Sequence, residues 1–350
     1  MRFVFLTADL ETRPTWWQVQ DTLGRLKLRG IQRYLDLKFV RVGQVFGGTL
    51  NLMRHCQVAQ NCGAEAVLAT MSGRDTYGDK GVAGLSYISW HDRRPDDICI
   101  VPDFVTSLIG QVKGSAIAYL QNPLFVKADF NFRSDRVTLW TDSPLMLEIC
   151  QKTYPNRPIQ IVPNIIDNIQ FPFIPQSDRE AGLIFAFPRK GKDYIDATQQ
   201  CYESMGGKYW RFERIDGLSI QELAQQFRRP QAFLASADIE GCALPPQESM
   251  ASGIVVVGKD ARGANFCMAD RETAMIADTP EAAARSLLEL ENSDLRERIA
   301  QNAYRAIKRY FPHEEPTAFW RETIRRFGGT PTYGSPTYRD MTPMTDWLPE

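Results

Sequence analysis

Two glutamates eight positions apart, Glu240 and Glu248, stand in the stretch ASADIEGCALPPQESMASG at residues 235–253, which runs on into IVVVG. The pattern reads as strand, glycine loop, helix, strand. Gly241 allows a tight backbone approach, and Pro245-Pro246 suit the first positions of a helix. The exposed N–H groups of such a helix start favour an anion such as a phosphate. A carboxylate beside them is placed to accept hydrogen bonds from sugar hydroxyls. Upstream, FAFPRKGKDY at 185–194 reads as a strand followed by a basic turn. Arg189 offers a planar fork and Lys190 a point charge, with Lys192 as the substitute for Lys190, and such a pair suits a pyrophosphate. The turn is not a Walker A loop, because Asp193 follows Gly191-Lys192 and no upstream glycine has the required spacing.

The elements that must position these residues are written in short apolar runs. Residues 2–7, 39–42, 66–70, 98–101, 115–120, 137–140 and 159–162 read as strands, with a helix over about 50–61. Continuous apolar runs alternating with helices predict a parallel sheet covered on both faces. A proline-rich, polar stretch around 171–180 then reads as a linker. Strands restart at 183–187, 209–214, 231–235, 254–257 and 274–277. Helices are expected at 193–205, 219–226, from 248, at 282–290, at 295–310 and at about 315–327. With 350 residues the chain is too long for one core, and the pattern predicts two doubly wound α/β domains with a ligand cleft between them.

The 235–253 stretch closely resembles the signature EGFGLPxxEAMAxGxPVV of retaining glycosyltransferases of family 4, the group 1 glycosyl transferases. The resemblance implies an α/β protein of the GT-B class: two Rossmann-like, doubly wound domains facing each other across a cleft. Residues 1–175 would form the acceptor-side domain and 176–312 the nucleotide-sugar-binding domain. Residues 313–350 would be a helix crossing back to the first domain, plus a tail. It implies that Glu248 holds the ribose of the donor and that Glu240 contacts the transferred sugar. Gly241, Cys242, Ala243 and Leu244 would lie by the phosphates and ribose, and Arg189 and Lys190 would clamp the diphosphate. Cys242 replaces the usual aromatic, Ser249 an alanine and Ile254-Val255 a Val-Pro pair. Residues 162–167 resemble the PNGVD segment, with Ile165 in place of glycine. Gly263 and Asn265 occupy the place of the loop that touches donor sugar and phosphate.

In the first half, Gly47-Gly48 before a helix resembles the family's glycine pair facing the donor phosphate. The family's catalytic-site histidine has no counterpart: where one is expected, after the strand at 115–120, stand Gln121-Asn122. Either amide can hydrogen-bond a sugar on the acceptor side, but neither is a good general base. His55 and the pair His91-Asp92 are weaker candidates, read more plainly as ordinary histidines. Retaining members are generally thought to use the donor's own phosphate oxygen for the acceptor proton.

The expected activity is therefore hexosyl transfer from a nucleotide sugar to a carbohydrate, lipid-linked or other hydroxyl acceptor, with retention and without a cofactor. A metal is not expected, since neither Asp-x-Asp nor HExxH occurs. A nucleotide-sugar 2-epimerase of the same fold and a catalytically silent binding module stay open, and release of free nucleotide from a donor panel separates them. The net charge of −1, from 41 basic and 42 acidic residues, argues against nucleic acid as a partner. Seven scattered cysteines without a CxxC pair read as reduced thiols of a cytoplasmic protein. The N-terminus reads as a first strand rather than a signal peptide. The basic, aromatic segment from Trp16 to Arg33 could seat the protein on the inner membrane face, though a helix packed on its own sheet is the plainer reading.

Overall fold

Strands buried on both faces carry no polar alternation, and RFVFL, ICIVP and AIAYL are such strands here. In the computed structural model, which describes residues 1–11, 41–127, 136–162 and 164–328, every residue of these three segments is buried. The segment from Trp16 to Arg33 lies outside the described residues. The chain divides into two compact units. Of the described residues, the first takes those within 1–142, 146–162 and 314–328; the second takes 143–145 and 164–313.

The first unit is built on β1 (Arg2–Leu6), β4 (Glu65–Thr70), β5 (Tyr87–Ser89), β6 (Ile98–Pro102), β7 (Ala116–Leu120), β8 (Val137–Thr141) and β9 (Ile159–Ile161). A separate two-stranded pair joins β2 (Asp9–Leu10) to β3 (Arg41–Val42). The main sheet has the order β5-β4-β1-β6-β7-β8-β9, with its strands paired in parallel. The order reverses between β1 and β6, and the carboxyl ends at such a reversal are where doubly wound sheets bind ligands. Helix α1 (Gly47–Asn61) begins there, and β6 ends there.

Helix α2 (Pro144–Thr153) and the three-residue strand β5 are absent from the sequence reading. β5 is too short to show a period, and α2 buries only Met146, Leu147 and Cys150. Helix α8 (Glu315–Gly328) belongs to the first unit. Trp320 on α8 is fully buried, edge-on to Phe3 at 5.3 Å and to Trp140 at 5.9 Å. Its indole N–H donates to His55 Nδ1 at 3.0 Å, so His55 is a core residue joining α1 to α8. Cutting such a ring to alanine costs roughly 3–5 kcal/mol.

The second unit holds β10 (Glu180–Ala186), β11 (Arg211–Arg214), β12 (Pro230–Ala235), β13 (Val255–Gly258) and β14 (Met275–Ile276) in the order β11-β10-β12-β13-β14, all parallel. Its helices are α3 (Lys192–Ser204), α4 (Ile220–Gln226), α5 (Leu244–Ser252), α6 (Pro280–Glu289) and α7 (Ser293–Tyr310). Here the order reverses between β10 and β12. The stretch expected to be a linker is packed instead. Phe171 is buried against Phe227, and Phe173 lies 4.7 Å from the Tyr304 ring. No helix among the described residues is long and apolar enough to cross a membrane.

Candidate functional site

The turn after β10 and the loop after β12 flank the reversal in the second unit, and Arg189, Lys190 and Glu240 sit on these two segments. Pro188–Lys190 forms one tight turn, which Phe187 anchors by packing 5.2 Å from Phe233. The Ser236 hydroxyl at the end of β12 donates to the Lys190 carbonyl at 2.9 Å. Gly191 makes this approach possible: its φ is +120°, and a Cβ there would lie 2.8 Å from Ser236 Cβ and collide with the Ser236 carbonyl. A side chain at 191 would thus be strained twice, by backbone conformation and by contact.

From this turn Lys190 Nζ reaches across to an ion pair with Glu240 Oε1. The pair is half-sheltered, at 39% side-chain exposure for Lys190 and 18% for Glu240. Arg189 faces the same carboxylate. Burial lowers its guanidinium pKa from the ordinary value, while Glu240 and Asp216 act in the opposite direction. The arginine residue is nonetheless solvent-exposed overall, so the desolvation is partial and the group keeps its charge at neutral pH. Lys192, the substitute, points to a different partner, Asp196 one turn along α3. The structure thus separates the two lysines: Lys190 is at the reversal and Lys192 on the helix surface.

Helix α5 begins at Leu244 with Pro245 and Pro246 in its first turn. Glu248, only 2% exposed, is the fifth residue of the helix, so the two glutamates have opposite settings. The loop between them is fixed through its backbone. Ser143 Oγ donates to the Gly241 carbonyl at 2.6 Å, and Asn164 Nδ2 donates to the Cys242 carbonyl at 2.9 Å. Asn164 also donates to Gln247 Oε1 at 2.9 Å, while Gln247 Nε2 donates to Cys242 Sγ. Cys242 therefore uses the space of an aromatic ring as a hydrogen-bond acceptor. Of the residues that shape this loop, Asn164 lies in the 162–167 segment marked by the family resemblance, whereas Ser143 and Gln247 carry no signal in the sequence. Ala243 is half-buried at the helix N-cap.

After β13 comes a loop with three successive residues at positive φ, Ala261 (+56°), Arg262 (+59°) and Gly263 (+83°). Only the last is a glycine, so two L-residues hold a left-handed conformation that costs of order 1 kcal/mol each. Asn265 closes the loop by donating its N–H to the Asp260 carbonyl at 3.1 Å. Its own Oδ1 is buried with no hydrogen-bond partner among the described residues. Lys259–Arg262, with Asp238 and Asp278, line a cavity of about 210 Å³. Lys259 is committed there, paired with Asp238 and 4.5 Å above the Tyr194 ring.

In the first unit the reversal carries a different set. Gly47 and Gly48 open α1, whose N-cap position is Phe46 and supplies no side-chain cap. A Cβ on Gly48 would lie 3.1 Å from Gln121 Oε1, so the Gln121 amide lies over the start of the helix. Asp103, the residue following β6, holds that loop: its Oδ2 accepts from the N–H of Gln121 at 2.8 Å and of Asn122 at 2.6 Å. Burial pushes the Asp103 carboxyl up to about 7, with those N–H groups opposing the shift. The Asn122 side chain is already used, its Oδ1 accepting from the Leu124 N–H at 2.9 Å. Among the described residues, Gln121 has no such side-chain hydrogen bond in the loop. His91 is exposed in a short turn, Trp90–Asp92. No group of three or more His, Cys, Asp or Glu able to hold a metal occurs among the described residues.

Residues 215–306 match the family described as glycosyl transferases group 1, a span that contains Glu240 and Glu248. No curated protein sequence matches the chain. Among solved structures, sucrose-phosphate synthase from Thermosynechococcus elongatus superposes with a TM-score of 0.59 at 12% identity, over 94% of this chain and 99% of that one. The Anabaena protein HepE, solved with UDP-glucose, gives 0.53 at 13% identity, over 93% and 99%. TarM gives 0.52 at 12% identity over 67% of this chain, which spans only 56% of TarM's length. These likenesses establish the fold as GT-B.

Proposed function

We propose that this chain, a GT-B protein of the group 1 glycosyl transferases, moves a sugar from a nucleoside-diphosphate donor to an acceptor hydroxyl, retaining the anomeric configuration and needing no metal ion. One observation carries the reading. At the strand-order reversal of the second unit, two cations from the turn after β10 meet Glu240 from the loop after β12, ahead of the helix that carries Glu248. A diphosphate placed at a strand-end reversal needs such cations, and a sugar needs such an acceptor.

In this reading Glu248 holds the ribose and the backbone of Gly241–Leu244 lies along the nucleotide. Arg189 and Lys190 bind the diphosphate, and Glu240 orients the sugar. As the bond from the anomeric carbon to the phosphate oxygen breaks, negative charge gathers on the leaving diphosphate. The two cations stabilise that charge, the role a divalent ion has in other transferases. The acceptor oxygen attacks from the same face, and its proton passes to the departing phosphate oxygen. The first unit contributes acceptor binding, with Gln121 as the amide that contacts it.

The test is a donor panel. Because HepE was solved with UDP-glucose, that donor heads it, followed by other UDP-, GDP- and ADP-sugars, with cell extract as the source of acceptor. One donor is expected to release free nucleotide, with or without EDTA, and to yield a product of unchanged anomeric configuration. A donor that binds but never turns over would overturn the enzyme reading. Loss of turnover in EDTA, or an inverted product, would overturn the corresponding part.

A further inference from the structure

Lys190 and Glu240 are each assigned to a different portion of the donor, yet here they bind one another. Their ion pair spans the β10–β12 reversal and joins the site proposed for the diphosphate to the site proposed for the sugar. The Lys190 backbone is tied to the end of β12, because the Ser236 hydroxyl donates to its carbonyl and Gly191 packs against Ser236 with no room for a Cβ. The Glu240 carboxylate is the more sheltered partner, at 18% side-chain exposure. A carboxylate in that setting loses more by giving up its cation than a solvated one does.

We infer that the Lys190–Glu240 ion pair makes recognition of the diphosphate and recognition of the sugar interdependent, so that the site favours an intact nucleotide sugar over the nucleoside diphosphate left after transfer. The inference rests on the donor-site reading above. A bound diphosphate draws Lys190 away from Glu240. If the ligand carries a sugar, its hydroxyls donate to the vacated carboxylate and replace the lost contact. If it carries none, Glu240 is left half-buried with Arg189 as its remaining cation among the described residues, and the same diphosphate also claims Arg189. The nucleoside diphosphate therefore binds at a disadvantage that the donor does not meet. After transfer, Lys190 returning to Glu240 favours release of the nucleotide.

The experiment is a double-mutant cycle read by calorimetry on the full chain, with UDP and UDP-glucose as probes. GDP with GDP-mannose and ADP with ADP-glucose serve if the donor panel selects those. Glu240→Gln is expected to tighten UDP by about two- to fivefold, the upper part of the range of a partly exposed pair, while weakening UDP-glucose. In a Lys190→Met background the same Glu240→Gln change is expected to alter UDP affinity by less than about twofold, because no pair remains to be broken. Equal tightening in both backgrounds would mean plain repulsion between a carboxylate and a diphosphate, and would overturn the inference. So would no tightening in either. A wild-type protein that binds none of these nucleotides overturns the donor-site reading and the inference together, whereas an additive cycle on a binding protein overturns only the inference.

Discussion

Each unit has a carboxylate on the segment that leaves the strand at its order reversal, Asp103 after β6 and Glu240 after β12, and the two are neutralised in opposite ways. Glu240 faces cations carried on side chains, Lys190 in contact and Arg189 nearby. Asp103 faces backbone N–H groups of Gln121 and Asn122 and is buried. A side-chain cation can be exchanged for a ligand, because both partners can rotate and re-solvate. A backbone N–H cannot leave without unfolding the loop. The first arrangement suits a site that captures and releases an anion; the second suits a loop that must keep one shape. The difference teaches that the same residue type at the same topological position divides into ligand exchange and scaffolding according to what neutralises it.

The strongest way to break that division is to remove the exchangeable charge. Arg189→Ala or Lys190→Ala is expected to cut turnover by ~10²-fold or more, as loss of a charge-stabilising donor does. Gln121→Ala, which removes a neutral amide in the other unit, is expected to cost about three- to tenfold. If steady-state kinetics give equal losses, the two reversals do not differ in kind.

Glu248→Ala comes next. A carboxylate accepting from ribose hydroxyls contributes about 1.5–3 kcal/mol, so donor affinity should fall by roughly 10- to 100-fold. Calorimetry with the selected donor checks this, and unchanged affinity would remove Glu248 from the donor site. Because Glu248 is 2% exposed, thermal melting of the variant must accompany the measurement.

How much of this was legible beforehand follows from the range of the interactions. The apolar runs at 98–101 and 115–120 were readable because both faces of β6 and β7 are covered, which leaves continuous hydrophobic letters. The 235–253 stretch was readable because its motif is contiguous, and residues 215–306 match the group 1 family. What stayed hidden was long-range. The contact between Lys190 and Glu240 joins residues 50 apart, and that between Asn164 and Cys242 joins residues 78 apart. Nothing in the local spelling of either segment announces its partner. The need for glycine at 191 is set by Ser236, at the end of β12. The role of Asp103 is likewise set at long range, by the backbone of Gln121 and Asn122.

Asp103 sharpens the comparison through pH. Its carboxyl is raised from 3.8 to about 7 in the folded protein, so the ionised form is disfavoured by folding. Its contribution to stability is full below about pH 4 and is lost as pH rises through 7. The titratable neighbour is Cys150 on α2, itself pushed up to about 12 by burial. Wild-type stability should therefore fall towards neutral pH more steeply than that of Asp103→Asn, by at most about 1.4 kcal/mol per pH unit, the slope of one proton. Denaturant unfolding from pH 5.5 to 8 checks this, and parallel curves for the two proteins would show that Asp103 is not the titrating group.

The smallest effect belongs to Asn122, and it separates loop shape from ligand contact within one segment. Its Oδ1 caps the short turn Pro123–Phe125 by accepting from the Leu124 N–H. That turn presents two exposed apolar side chains, Leu124 at 68% and Phe125 at 40%. Replacing a capping asparagine by alanine costs about 0.5–2 kcal/mol in a helix, and a single turn open to solvent should lie at the low end. Asn122→Ala is thus expected to lower unfolding stability by about 0.5 kcal/mol and to leave donor affinity unchanged. Because Asp103 binds the Asn122 backbone and not its side chain, the Gln121 loop should keep its form in the variant. A tenfold loss of donor affinity in Asn122→Ala would show that this amide meets the ligand directly, and the scaffolding role of the first reversal would have to be given up.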